Sequence, residues 1–415
     1  MKKTTLLLFA FVAILSFSCN NDDDSETPVN ENLDAISLYL PTQAEIDSVG
    51  SLGYKSVGTL TIGSQNSDIT SLLPLENLKK VGYLLIQDVP DITSLEGLHN
   101  IEQVDYILIS KTNITDLQGL RSLKRFDKNV NLDSYETASL GLQIIENPSL
   151  QSLSGLENVT KLPVLDIRQC HSLTSLTGLE NCEDITDLEI QRCDVLTDLN
   201  SISKVKKLRN GFFRSLPSLT SLAGLNHLEE IENLILKSVS INSLEAFSNV
   251  SKMKSLDCTF NESLISFEGL EQITNIELIN VFYNDNMTSL KGLENVTKSK
   301  SITIVDNESL TSISHLSGLN QVKGDYTPGV TFQSGGVIIK ENNSLETLDG
   351  LQNVTSFQGN IEVINNESLV DLCALLDVFQ LRLNINTGHA YIYGNQNPIS
   401  GTNGDYLTSE NCSVD

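Results

Sequence analysis

The residues able to do chemistry in this chain are mostly carboxylates: 53 Asp and Glu stand against 27 Lys and Arg, a net charge of −26 over 415 residues. Carboxylates paired at the right separation hydrolyse glycosidic bonds. At this density such pairs arise by chance, so their number assigns no such role. The five histidines, His99, His171, His227, His315 and His389, are the next candidates, as metal ligands or proton carriers. They lie far apart and form no ligand spacing. The sequence has no C-x-x-C, H-E-x-x-H, G-x-S-x-G, Walker loop, G-x-G-x-x-G or calcium nonapeptide repeat. The expectation is a binding protein and not an enzyme, with no metal and no cofactor. A field this negative also makes nucleic acid a poor partner.

Cysteine is the remaining reactive type, and the seven copies divide by position. Lys2 and Lys3, an apolar run over 6–17 and Ser18 precede Cys19, a run too short to span a bilayer. The pattern resembles a bacterial lipoprotein signal, which implies removal of residues 1–18 and lipidation of Cys19. The acidic stretch that follows, within residues 19–39, reads as a solvated tether. Such a chain would sit in the outer membrane by its lipid and face outward. Cys373 and Cys412 bracket the last segment, where a disulfide would close the end of the molecule. Cys170, Cys182, Cys193 and Cys258 read as small buried hydrophobes. A bond between Cys170 and Cys193 is geometrically open, because neighbouring coils sit about 4.8 Å apart.

What must position these residues is a repeat. The apolar residue closing each SL-type pair recurs from Leu72, Leu95 and Leu117 through to Leu348 and Leu372, at steps of 22 to 24 residues. Two longer steps imply loops inserted at 128–139 and 324–335. In the best-formed copy, Leu165 and Ile167 alternate with Asp166 and Arg168, the period of a half-buried strand. A second short apolar pair, Leu173 and Leu176, follows as a strand or 3₁₀ segment, and then Gly178 at a corner where a Cβ would not fit. Each copy is one coil that cannot bury its apolar edge alone. The fold expected is mainly β: a right-handed parallel β-solenoid of about 13 coils of about 23 residues.

One column inside that repeat is polar. Asn147, Asn261, Asn284, Asn307, Asn342 and Asn366 share the corner after the first strand, with Cys170 and Cys193 in the same slot. Stacked buried asparagines bonding the next coil form a structural ladder. The N-x-S/T sequons at Asn261 and Asn307 then read as by-products of the repeat.

Repeats of the form L-x-I-x-x-N-x-x-L-x-S-L-x-G-L are similar to leucine-rich repeats. They resemble more closely the receptor L domain-like surface lipoproteins of the Bacteroidetes type. The resemblance also covers an entry segment, residues 40–63, with a capping helix over 41–51 and the first strand. It extends through the repeats at 64–372 and an exit cap at 373–415. It implies a solenoid on the bacterial surface and supplies no catalytic residues and no ligand.

The first strands stack into one sheet, and their outward positions are the candidate ligand-binding face. Arg168, Arg214 and Lys237 read as a basic stripe in an acidic protein, with Phe212, Phe260, Phe282 and Tyr283 beside them. Exposed aromatics flanked by cations suit contact with an extracellular protein or polysaccharide. Cross-strand packing of β-formers explains the same residues equally well. Two other functions remain open: a carbohydrate-active β-solenoid enzyme, which needs clustered carboxylates in a cleft, and a structural spacer, which needs a uniformly polar face.

Overall fold

The computed structural model describes residues 36–126, 141–324, 335–385, 389–397, 401–402, 407–408 and 412. The export signal, Cys19 and most of the tether lie outside the described residues, as do the inserted loop at 128–139 and all but the ends of the one at 324–335. Within them the chain is a mainly β, parallel β-solenoid with about 13 turns of about 23 residues, as the repeat predicts. Its wall is a sheet in which each first strand pairs in parallel with those of the neighbouring coils, from Ser37–Leu40 to Ala390–Tyr393. Three short strands, Lys298–Ser299, Gln321–Lys323 and Ser356–Gln358, make a second parallel sheet on another edge of the coils.

Register is fixed because one face of every strand is buried. Leu142, Leu165, Leu188 and Ile144, Ile167, Ile190 form two inward columns with no exposed surface. Gly211 interrupts the first column, and the ring of Phe213, itself fully buried, lies 3.4 Å from where a Cβ on Gly211 would stand. Cys258 occupies the second column, inward as expected. Between the apolar pairs the backbone makes short 3₁₀ turns in several coils, such as Ala223–Leu225 and Ser314–Leu316.

Glycine at the second corner has two causes. Gly178 has a φ of 113°, the left-handed region that excludes most side chains. Gly224 has an ordinary φ and lies in a 3₁₀ turn, but a Cβ there would overlap the carbonyl of Leu199 in the coil before. Close backbone approach, not chain direction, selects glycine at that position.

The asparagine ladder is present and runs backward. Asn284 Nδ2 donates to the carbonyl of Cys258 in the preceding coil, at 3.0 Å, where the sequence reading had placed its partner in the next coil. Asn147, Asn261, Asn307, Asn342 and Asn366 do the same, and all six are fully buried. Burial also rules out glycosylation at Asn261 and Asn307 in the folded chain. Asn395 supplies a further rung by accepting from Asn366, although it breaks the repeat spacing.

Both ends are capped. Thr42 and Glu45 form a capping box at the start of the helix Gln43–Gly50, whose Ile46 is fully buried. The strand Ser37–Leu40 precedes that helix and pairs with Ser56–Ile62, so residues 37–39, assigned to the tether, belong to the sheet. At the other end, the helix Leu376–Ile385 follows a 3₁₀ turn, and Cys373 is bonded to Cys412. No helix among the described residues is long and apolar enough to cross a membrane.

Candidate recognition face

Three outward columns cross the sheet. Two match the positions expected. One runs Gln143, Asp166, Glu189, Phe212, Ile235, Asp257, and the other Ile145, Arg168, Gln191, Arg214, Lys237, Thr259, Phe282. The third, Asp187, Asn210, Asn233 and Ser255, was missed. Its side chains hydrogen-bond from coil to coil at 2.7 to 2.8 Å, and Arg209 binds Asp187 with both Nε and Nη2. The outward residue two positions earlier in each strand was the signal available for it.

The basic stripe does not survive as one unit. Arg168 donates to Asp166 Oδ1 at 2.7 Å and to Glu189 Oε2 at 3.1 Å. Asp166 sits at an outward position yet is only 3 % exposed, because Gln143 also covers it, and Tyr106 in turn donates to Gln143 at 2.5 Å. Burial raises the Asp166 carboxyl above the usual carboxylate range, against the opposing pull of Arg168 and Gln143. Glu189 is raised for the same reason and by the charge of Asp166. Arg168 is therefore the centre of a part-buried polar network, while Arg214 and Lys237 stand apart from it as register partners on adjacent strands.

Those two cations are framed by rings. The Arg214 guanidinium lies 5.6 Å from the centroid of Phe212, and the Lys237 ammonium 5.9 Å from that of Phe260. Phe260 and Tyr283 are stacked, with centroids 4.6 Å apart and planes 7° from parallel, and Phe282 is tilted against Tyr283 at 6.5 Å. Phe260 is 46 % exposed and Tyr283 38 %.

Phe260 and Tyr283 do not belong to the outward strand columns. They occupy the corner just before the ladder asparagine, where every coil from Asp88 to Asn365 places a non-glycine residue at φ between 52° and 58°. The left-handed region is unusual for a bulky side chain and costs roughly 1–2 kcal/mol per residue. The rings are held there by the backbone of the coil, and the buried asparagine that follows fixes that backbone.

The other predicted residues separate into structural roles. Cys170 and Cys193 fill the ladder slot as free buried thiols that donate to carbonyls: Cys170 to Ile144 of the preceding coil at 3.8 Å and to Arg168 at 3.6 Å, and Cys193 to Gln191 at 3.6 Å. Burial pushes their thiols up to about 12 and about 11. His171 pairs with Asp194 at 2.7 Å, and His389 with Glu362 at 2.8 Å. Among the described residues no group of three or more His, Cys, Asp or Glu is placed to hold a metal ion. One open cavity of about 480 Å³ is lined by small polar residues such as Ser221, Asn242 and Ser248 and includes none of these rings.

A family model for the leucine-rich-repeat domain of the endo-β-N-acetylglucosaminidase EndoS matches residues 122–261. No curated protein matches the sequence. Among solved structures, an internalin (InlF) of Listeria monocytogenes is 18 % identical with a TM-score of 0.39, covering 85 % of this chain and 89 % of its own. The functional domain of InlJ from the same organism is 14 % identical with a TM-score of 0.32, covering 79 % and 71 %. Residues 122–261 of this solenoid are thus similar to a leucine-rich-repeat domain, and they contain Arg214, Lys237 and Phe260.

Proposed function

We propose that the chain is a cell-surface recognition protein that binds an extracellular protein or polysaccharide through the sheet face of its middle coils. The observation that supports this is the partly exposed group formed by Arg214, Lys237, Phe212 and the Phe260–Tyr283 stack, since aromatic and cationic side chains gathered on a rigid surface are the usual anchors of interfaces. A spacer has no use for bulky rings held at left-handed corners. In the same reading the lipid on Cys19 fixes the chain to the outer membrane, the acidic segment behind it gives reach, and the protein works without catalysis, cofactor or nucleic acid.

Two measurements test this. Binding of the full chain to arrays of polysaccharides and matrix proteins, beside the Arg214→Ser/Phe282→Ser variant, should give a ligand lost in the variant. Silence on both arrays would favour the spacer, and degradation of an arrayed glycan the enzyme. Metabolic labelling with a fatty acid should mark the wild-type chain and not Cys19→Ser.

A further inference from the structure

Four cations stand on the two outward columns that carry Phe212 and Phe282, and two of them are neutralised. Arg168 is bound by Asp166 and Glu189, and Lys340 by Glu362. Arg214 and Lys237 make no ion pair among the described residues, although they are adjacent and the protein is strongly acidic. Two carboxylates of the adjoining column are otherwise engaged: Glu189 feels the charge of Arg214 but hydrogen-bonds Arg168, and Asp257 accepts from Thr259 at 2.7 Å. Arg214 Nε is moreover buried with no hydrogen-bond partner. Two adjacent cations without counter-ions present N–H donors that a bound carboxylate would pair.

The rings narrow the choice of partner. One face of Phe260 is covered by Tyr283, and the Lys237 ammonium lies 5.9 Å from the ring centroid, so Phe260 offers its edge to a ligand. Ring edges pack against the faces of other aromatic side chains and against aliphatic groups. A sugar ring needs an open aromatic face to lie on, and Phe212 carries the Arg214 guanidinium. Ionic screening over about 8 Å at physiological salt lets this local pair of charges act within an acidic molecule.

We infer that Arg214 and Lys237, framed by Phe212, Phe260 and Tyr283, bind an acidic protein segment in which a carboxylate lies beside an aromatic or large aliphatic side chain. This rests on the recognition role proposed above and deepens it. The carboxylate sits between the two cations, satisfies the guanidinium and leaves the neighbouring side chain against the ring edges.

A random-peptide display library panned on the full chain, with counter-selection on Arg214→Gln/Lys237→Gln, tests the inference. Polygalacturonate and dextran serve as acidic and neutral glycan probes in parallel. The expected result is enrichment of peptides with Asp or Glu next to a large apolar residue, each binding the wild type roughly tenfold or more tightly than the variant. Enrichment without a carboxylate preference, equal binding to the variant, or no enrichment overturns it. Polygalacturonate bound in place of peptides also overturns it, while keeping the wider recognition role. An array ligand indifferent to the pair does the same, and only the absence of any array ligand removes both. Lys237→Gln alone, at an exposed position, should lose affinity without a change in the unfolding transition, which separates recognition from folding.

Discussion

Asn284 Oδ1 accepts the backbone N–H of Asn261, one coil earlier, at 3.0 Å. That single amide also binds the Cys258 carbonyl, so two buried backbone groups depend on it. Asn284→Ala strands both, and we expect a loss of roughly 2–3 kcal/mol in urea unfolding, with faster hydrogen exchange at the Asn261 amide. Asn284→Cys should cost less, because Cys170 in the equivalent slot donates to the carbonyl of Ile144 in the preceding coil, as Asn284 does to that of Cys258. Equal losses in the two variants would mean that the slot selects for volume alone.

Gly224→Ala and Gly178→Ala should both be severe, on the order of 3 kcal/mol or more, because the new methyl overlaps backbone that cannot rotate away. Gly53→Ala is the control. It has a φ of 63° but open space around it, so only the left-handed penalty of about 1 kcal/mol remains. Thermal unfolding of the three variants separates crowding from chain direction.

Breaking the Cys373–Cys412 bond closes off a constraint over a sequence separation of 39 residues. The loop-entropy relation puts its worth at about 3–4 kcal/mol. Cys412→Ser should therefore raise hydrogen exchange first in the last strands, Asn360–Ile364 and Ala390–Tyr393, and leave Lys161–Arg168 unchanged. Uniform loosening along the solenoid would contradict a local cap.

Burial alone would raise the Glu362 carboxyl, but hydrogen bonds and charge from Lys340 and His389 outweigh it and hold the group below the usual glutamate range. A lowered carboxylate stabilises the fold above its unfolded value and loses that contribution as pH falls through the folded one. Wild type should exceed Glu362→Gln by on the order of 1 kcal/mol at neutral pH, a figure reduced for partial exposure, and the gap should close below about pH 4. A gap that widens on acidification would reverse the assignment.

The coil architecture was legible because burial imposes it on every copy: Leu165 and Ile167 must point inward together, and Gly178 must lack a side chain. The outward columns followed from the same alternation. Interactions between outward residues did not, since nothing in the spacing says that Arg168 closes on Asp166 and Glu189 while Arg214, one position further along the same column than Gln191, stays unpaired. The left-handed corner was also invisible, because residues as different as Asp88, Ser238 and Tyr283 share it. Only the asparagine after half of them marks the place.

The ladder has a polarity. From Asn261 to Asn366 each side-chain amide donates to the Oδ1 of the next rung at 3.0 to 3.3 Å, so the amide dipoles point one way along the axis and reinforce one another. The two ends of the array are therefore inequivalent. At the leading end the first rung, Asn261, needs only a backbone N–H, which Val239 supplies. At the trailing end the last repeating rung, Asn366, brings buried donors that require an acceptor from outside the repeat, and Asn395 is that acceptor. A coil added or lost at the front alters length alone, whereas one lost at the back removes the terminator on which every upstream dipole leans.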